Sequence, residues 1–185
     1  MTIDTEIKGF RLAFETSQKC FSPGQIDTGT LAMLSKVDFQ EGQKVLDLGC
    51  GYGVVGIIAA KLAGASNVFM VDADPEAVSY SRRNAEKNNV EAVNIIHSDG
   101  IESLTESGFD LILSNPPYHT DFSVPRRFIE KGFNRLKIGG RLFMVTKRKD
   151  WYKNKLVSVF GGVRIHEING YCVFEAEKRQ KNYSK

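Results

Sequence analysis

The chain has 185 residues, 42% of them hydrophobic and 25% charged, which suits one domain with a full core and excludes wholesale disorder. Its net charge is +3, and its three cysteines, Cys20, Cys50 and Cys172, are scattered, so neither a metal site nor a disulfide framework is expected. No apolar run approaches the roughly 18–20 residues of a membrane span, and residues 1–6 lack the basic-then-apolar start of a signal peptide, so a cytoplasmic protein with no membrane partner is expected.

In chain order, residues 1–43 read as an extension with a short β-ribbon at 7–15 and a helix at 28–35. From residue 44 the apolar periodicity alternates strand and helix. A buried strand at 44–48 ends in a glycine cluster, and a helix at 54–63 stops at Gly64. A second strand covers 68–72. Asp74-Pro75-Glu76 then supplies an N-cap, a first-turn proline and a first-turn acid for a helix running to about Asn88. Strands at 93–97 and 109–114 follow, then a helix at 124–136, Gly139-Gly140, a strand at 141–146 and a helix at 151–160. Strands at 163–168 and 171–176 flank Asn169-Gly170, a strong hairpin signal because both turn positions need positive φ.

Alternating strands and helices predict an α/β fold: a mostly parallel sheet with helices on both faces and an antiparallel hairpin at the C-terminal end. One domain is expected over 1–185, divided into the extension (1–43), a cofactor-binding and catalytic core (44–177) and a basic tail (178–185).

The segment "VLDLGCGYGVVG" sets Gly51-x-Gly53-x-x-Gly56 between a strand and a helix, with Asp72 ending the next strand. That spacing fits a dinucleotide fingerprint. The neighbouring charge argues against one, because Asp47 lies two residues before Gly49 and would repel a pyrophosphate at the helix N-terminus. S-adenosylmethionine carries a sulfonium and an ammonium group and no phosphate, so the same acid helps. Asp47 can then accept from the amino group, Asp72 from the ribose hydroxyls, and Asp99 from the adenine amine. Gly49, Gly51 and Gly53 let the backbone approach closely. The other reading of each acid, as a plain strand cap, weakens when three of them stand at successive strand ends beside a glycine loop.

Asp47-Leu48-Gly49-Cys50-Gly51-Tyr52-Gly53, Asp72, Asp99 and Asn115-Pro116-Pro117-Tyr118 together resemble the class I S-adenosylmethionine-dependent methyltransferases, whose Rossmann-like sheet has seven strands with the seventh antiparallel. "FETSQKCFSPGQIDTGT" and Asn115-Pro-Pro-Tyr-His119 narrow the likeness to the ribosomal RNA guanine-N2 methyltransferases of the small-subunit type, in single-domain form. That resemblance implies that the segment from Phe21 to Thr30 closes over the cofactor, making Asp27 and Thr30 contacts. It also implies ribosomal RNA or a ribosomal subunit as partner.

An exocyclic amine is a poor nucleophile because its lone pair is delocalised into the ring. The side-chain oxygen of Asn115 and the carbonyl of Pro116 can each accept one of its N–H bonds. Both gain as the nitrogen becomes positive, which is differential stabilisation of the transition state. Pro117 stiffens the turn, and Tyr118 would stack on the extruded base. Asn115 also borders the cofactor, so it counts in both sets. His119 is either a proton carrier or an ordinary loop histidine. Arg126, Arg127, Lys147 and Arg148 follow C-terminal strand ends and are the candidate phosphate contacts. The rival acceptors are adenine N6 and a protein glutamine amide. The rival class is a binding module that keeps the fold for RNA without catalysis.

Overall fold

The computed structural model describes residues 1–117 and 121–183. Two strands, β1 (Thr2–Ile7) and β2 (Phe10–Glu15), pair antiparallel as a separate ribbon. The ribbon begins five residues earlier than its sequence pattern suggested. The cause is the turn, where Lys8 and Gly9 take φ of 51° and 83°, the pair of left-handed conformations that closes a two-residue hairpin. Helix α1 (Thr28–Lys36) follows, capped by the Asp27 carboxylate on the Thr30 N–H.

The main unit then runs β3 (Val45–Leu48), α2 (Val54–Ala63), β4 (Val68–Asp72), α3 (Pro75–Lys87), β5 (Asn94–His97), β6 (Phe109–Ser114), α4 (Ser123–Arg135), β7 (Leu136–Thr146), α5 (Lys149–Phe160), β8 (Arg164–Ile168) and β9 (Tyr171–Glu177). The seven strands lie in the order β5-β4-β3-β6-β7-β9-β8. All neighbours from β5 to β7 are parallel, and β9 is antiparallel to both β7 and β8. The expected terminal hairpin is present, with Asn169 and Gly170 at φ of 51° and 78°. The order reverses between β3 and β6, and in such sheets ligands bind at that point beyond the strand C-termini.

Alternation along the strands sorts the core into two layers. Val45, Met70, Leu111, Leu113, Phe143 and Val145 face α1, α2 and α3. Leu46, Leu48, Val71, Ile112, Leu142 and Met144 face α4 and α5. Asp47 shares the parity of Val45 and so points toward α2, a direction its chemistry depends on.

Two further places depart from the sequence pattern. Strand β7 starts at Leu136, so Gly139-Gly140 lies within it, at a register shift where Phe109 pairs with Leu136 and Leu111 with Arg141. A Cβ on Gly140 would stand 2.6 Å from the Phe109 carbonyl oxygen, which is why glycine occupies the irregularity. The basic tail also begins with a buried residue. The ammonium of Lys178 donates to the carbonyls of Phe133 (2.8 Å) and Leu136 (2.9 Å), satisfying the C-terminal end of α4.

Candidate active site

The C-terminal ends of β3, β4, β5 and β6 open into one cavity of about 340 Å³, walled on the far side by residues of the segment leading into α1. Its floor is the glycine loop. Gly51 has φ of 56°, and a Cβ built there meets no atom within 4 Å, so its backbone borders open cavity rather than packed protein. Gly56 has a different duty. A Cβ there would come within 2.5 Å of Met70, so this glycine lets α2 pack on β4.

The loop's amides are already committed to carboxylates. The Gly56 N–H donates to Asp47 (2.8 Å) and the Gly51 N–H to Asp72 (2.8 Å). A phosphate at this helix N-terminus would find those donors spent and two acids beside it, which disfavours a dinucleotide. Asp47 is 2% exposed. Burial, with the neighbouring charge of Asp72, pushes its carboxyl up to about 7 despite the Gly56 bond. A buried acid of this kind favours a cationic ligand, which would restore its ionised form.

The remaining expected cofactor residues also gather here. Gly49, Asp72, Asp99, Asp27, Thr30 and Asn115 all line the cavity. Gly53, with φ of 103°, sits behind the loop as the N-cap of α2, near Met70 and Ser81. Asp99 does not present a free carboxylate: both oxygens accept from the Arg127 guanidinium, at 3.1 and 2.7 Å. That bidentate pair holds Asp99 below the usual carboxylate range. Arg127, read from sequence as a phosphate contact, therefore stands at the cavity wall tied to an acid.

At the end of β6, Asn115 is turned by its neighbours. Its amide nitrogen donates to the Asp27 carboxylate (2.9 Å) and to the Thr30 hydroxyl oxygen (3.0 Å). Pro116 is buried and Pro117 is exposed at the cavity edge. The roles given to Tyr118 and His119 fall on residues outside those described. Arg126, Lys147 and Arg148 are exposed on the same side of the sheet. Lys147 lies over the Tyr171 ring at 4.9 Å and Arg148 over the Phe122 ring at 5.0 Å, and Phe122 is itself stacked on Trp151.

Several lining residues had no individual role assigned from the sequence. Phe21 lines the cavity while half exposed, Ile26 and Tyr52 close one wall, and Phe128 from α4 abuts Gly49 and Gly100. Burial pushes the Tyr52 phenol up to about 12, with the Asp27 charge adding to it. The loop is braced from below by Ser81, which donates to the Gly51 carbonyl (2.8 Å), and by Asn84, which donates to that of Tyr52 (2.8 Å).

Comparison with known proteins bears on this arrangement. The sequence signature of the family described as "Methyltransferase small domain" matches residues 11–175. Among curated proteins, the Ribosomal RNA small subunit methyltransferase C of Pseudomonas entomophila is 32% identical over 85% of this chain and 48% of its own length. The protein of the same name from Pseudoalteromonas atlantica is 34% identical over 83% of this chain and 46% of its own. The chain thus spans about half the length of the curated relatives it matches. Among solved structures, a T. thermophilus 16S rRNA N2 methyltransferase in complex with AdoMet and guanosine superposes with a TM-score of 0.88 at 30% identity, covering 97% of this chain and 50% of that one. A Pyrococcus furiosus methyltransferase shares the fold at 22% identity, with a TM-score of 0.72, and covers 91% of this chain and 90% of its own.

Proposed function

The chain belongs to the methyltransferase small domain family, and from that premise we propose that it transfers a methyl group from S-adenosylmethionine to the exocyclic N2 amine of a guanine in ribosomal RNA. The observation that carries the reading is the pairing of two unlike sites across one cavity. The Asp47 and Asp72 carboxylates of β3 and β4 accept from the N–H groups of Gly56 and Gly51, and the Asn115 amide stands at the end of the neighbouring strand. A structural relative that covers 97% of this chain was solved with AdoMet and guanosine, and the curated relatives are named for small-subunit ribosomal RNA.

The residues present fit the cofactor. Gly51 leaves open space where a side chain would intrude. Asp47 is a buried acid suited to a cation, and among the described residues no lining residue but Arg127, already paired with Asp99, brings a cationic side chain. Asp47 and the backbone at Gly49 and Gly51 would hold the charged end. Asp72 would hold the ribose and Asp99 the adenine, with Asp27 and Thr30 on the facing wall. Bound there, S-adenosylmethionine supplies an electrophilic methyl group on a sulfonium.

The chain's own residues do the rest. The Asn115 oxygen and the Pro116 carbonyl accept the two N–H bonds of the guanine amine and orient its nitrogen toward the methyl. Both acceptors bind more strongly as that nitrogen turns positive. A neutral amide at 115 does this with less charge to desolvate than a carboxylate. The methylated amine gives up its proton to water, so a dedicated base is not required. Arg126, Lys147 and Arg148 would contribute phosphate contacts that position RNA without selecting its sequence.

The test is transfer of a tritiated methyl group to ribosomal RNA, both naked and as small subunits, taken from cells lacking the gene. Digestion and mass spectrometry of the nucleosides should give N2-methylguanosine. Label on adenine N6 or on protein would move the acceptor. No label on any of these, from protein that binds the cofactor, would leave a binding module in place of an enzyme.

A further inference from the structure

Asn115 is an amide, and amides offer a substrate two kinds of group. An unconstrained asparagine presents two N–H donors as readily as its acceptor oxygen. Only the oxygen serves an incoming amine, so a reaction at this residue requires the side chain to be held one way round. Two residues at the start of α1 do so.

The amide nitrogen of Asn115 lies 2.9 Å from the Asp27 carboxylate oxygen Oδ2 and 3.0 Å from the Thr30 hydroxyl oxygen. Each takes one of the two N–H bonds. The orientation is not a free choice, because the flipped amide would set its oxygen against a carboxylate oxygen. The carboxylate is itself fixed, since the same Oδ2 accepts the Thr30 N–H at 2.8 Å as the cap of α1. It is also packed tightly. A Cβ on Gly29 would fall 2.9 Å from that Oδ2 and 2.7 Å from the Tyr171 ring. Thr30 is buried, so its hydroxyl meets Asn115 rather than bulk water.

We propose that Asp27 and Thr30 are positioning residues for Asn115, taking both of its N–H bonds so that the amide oxygen alone is turned toward the acceptor amine. The inference rests on the N-methyltransferase reading and departs from one part of it: the two residues act through Asn115 rather than by binding cofactor. Their effect is also electronic. An anion bonded to the N–H end of an amide polarises it and makes its oxygen a stronger acceptor, most useful as the substrate nitrogen gains positive charge.

The decisive variant is Asp27→Ser. Serine caps a helix as aspartate does, so α1 keeps its cap, but the side chain is too short to reach Asn115. At saturating cofactor, kcat for methyl transfer to small ribosomal subunits should fall about 10- to 100-fold. The Kd for S-adenosylmethionine, read by calorimetry, should stay within about threefold, since these residues do not act on the cofactor. Asp27→Asn keeps an oxygen in place and loses only the charge, so its loss should be smaller. Thr30→Val should lose activity that Thr30→Ser recovers. A second readout needs no substrate. In the ¹⁵N–¹H spectrum the two side-chain protons of Asn115 should be widely separated and slow to exchange, and in Asp27→Ser they should collapse toward the solvent-exposed amides.

An Asp27→Ser enzyme with normal kcat and weakened cofactor binding would overturn the proposal and return Asp27 to the cofactor. An Asn115 amide signal that does not move in that variant would overturn it as well. If the unaltered chain methylates no RNA, the functional reading fails separately, while the amide spectrum still decides the positioning.

Discussion

The proposed cofactor half of the cavity is held together by neighbours in sequence, and the proposed acceptor half by residues far apart. Asp47 bonds the N–H of Gly56, 9 residues on, and Asp72 that of Gly51, 21 residues back. Asn115 is held by Asp27 and Thr30, 88 and 85 residues away. The first arrangement forms once one strand–loop–helix unit and the next strand are in place. The second exists only after α1 has docked beside the end of β6. Cofactor binding and methyl transfer should therefore fail separately when the two halves are damaged separately.

The largest expected effect is on the acceptor side. Asn115→Ala removes the oxygen proposed to accept from the amine, and loss of one such preorganised group costs about 10²–10³ in kcat. Cofactor affinity should be nearly unchanged, measured by calorimetry beside single-turnover methyl transfer. Turnover near normal in this variant would end the proposed mechanism. Equal losses of affinity and turnover would erase the division between the halves.

A second substitution asks whether the long-range frame also supports the local half. Asn84 and Asn88 on α3 act as a short edge for the ribbon. Asn84 accepts from the Glu15 N–H (2.7 Å) and donates to its carbonyl (3.0 Å), and Asn88 does the same with Ala13. Asn84 alone of the pair also reaches the glycine loop, through the Tyr52 carbonyl. Asn84→Ala strands buried backbone groups on both sides and should cost about 1–3 kcal/mol of stability, seen as a lower Tm. Asn88→Ala should destabilise as well, through the ribbon. The two should part in calorimetry, with cofactor binding weakened by Asn84→Ala and spared by Asn88→Ala. Equal cofactor affinity in the two variants would show that the loop does not depend on this brace.

That division also explains what could be read in the chain before its structure. The glycine loop and its acids announce themselves because strand, turn and helix are contiguous, and both periodicity and charge are local signals. The parallel sheet and the terminal hairpin follow from the same alternation, with Asn169-Gly170 marking the last turn. Nothing local ties Asp27 to Asn115: the family resemblance made Asp27 a candidate cofactor contact, and its hydrogen bond to Asn115 appears only in the fold. Arg127 looked like one more exposed base until the fold brought it onto Asp99. Asn84 and Asn88, at i and i+4, are common on a polar helix face, and only the docked ribbon gives them partners. Lys178 sat in a run of basic residues, where charge suggests solvent, and its burial depends on where α4 ends. In each case the missing information was a contact across the fold.

The smallest expected effect is one of pH, and it tests the cofactor half by its charge. Burial holds the Asp47 carboxyl at about 7 against an ordinary 3.8. The folded protein without ligand therefore keeps a proton on Asp47 that the unfolded chain has already released. Its contribution to stability is full below about 4 and is lost as pH rises toward and through about 7. A cationic ligand reverses the preference, because it favours the carboxylate. Binding of S-adenosylmethionine should then expel a proton near neutral pH, visible as a binding enthalpy that depends on the buffer's ionisation heat. Affinity should weaken below about pH 7, by at most about tenfold per unit. Tm with saturating cofactor should fall from pH 8 to pH 6, after any change of the free protein is subtracted. Asp47→Asn keeps an acceptor for the Gly56 N–H and removes the titration, so its affinity should be weaker and flat with pH. Acceptor binding has no share in this shift, since Asn115 does not titrate. A pH profile surviving in Asp47→Asn would place the controlling charge elsewhere, and the local half of the cavity would lose its claim to bind the cofactor through this acid.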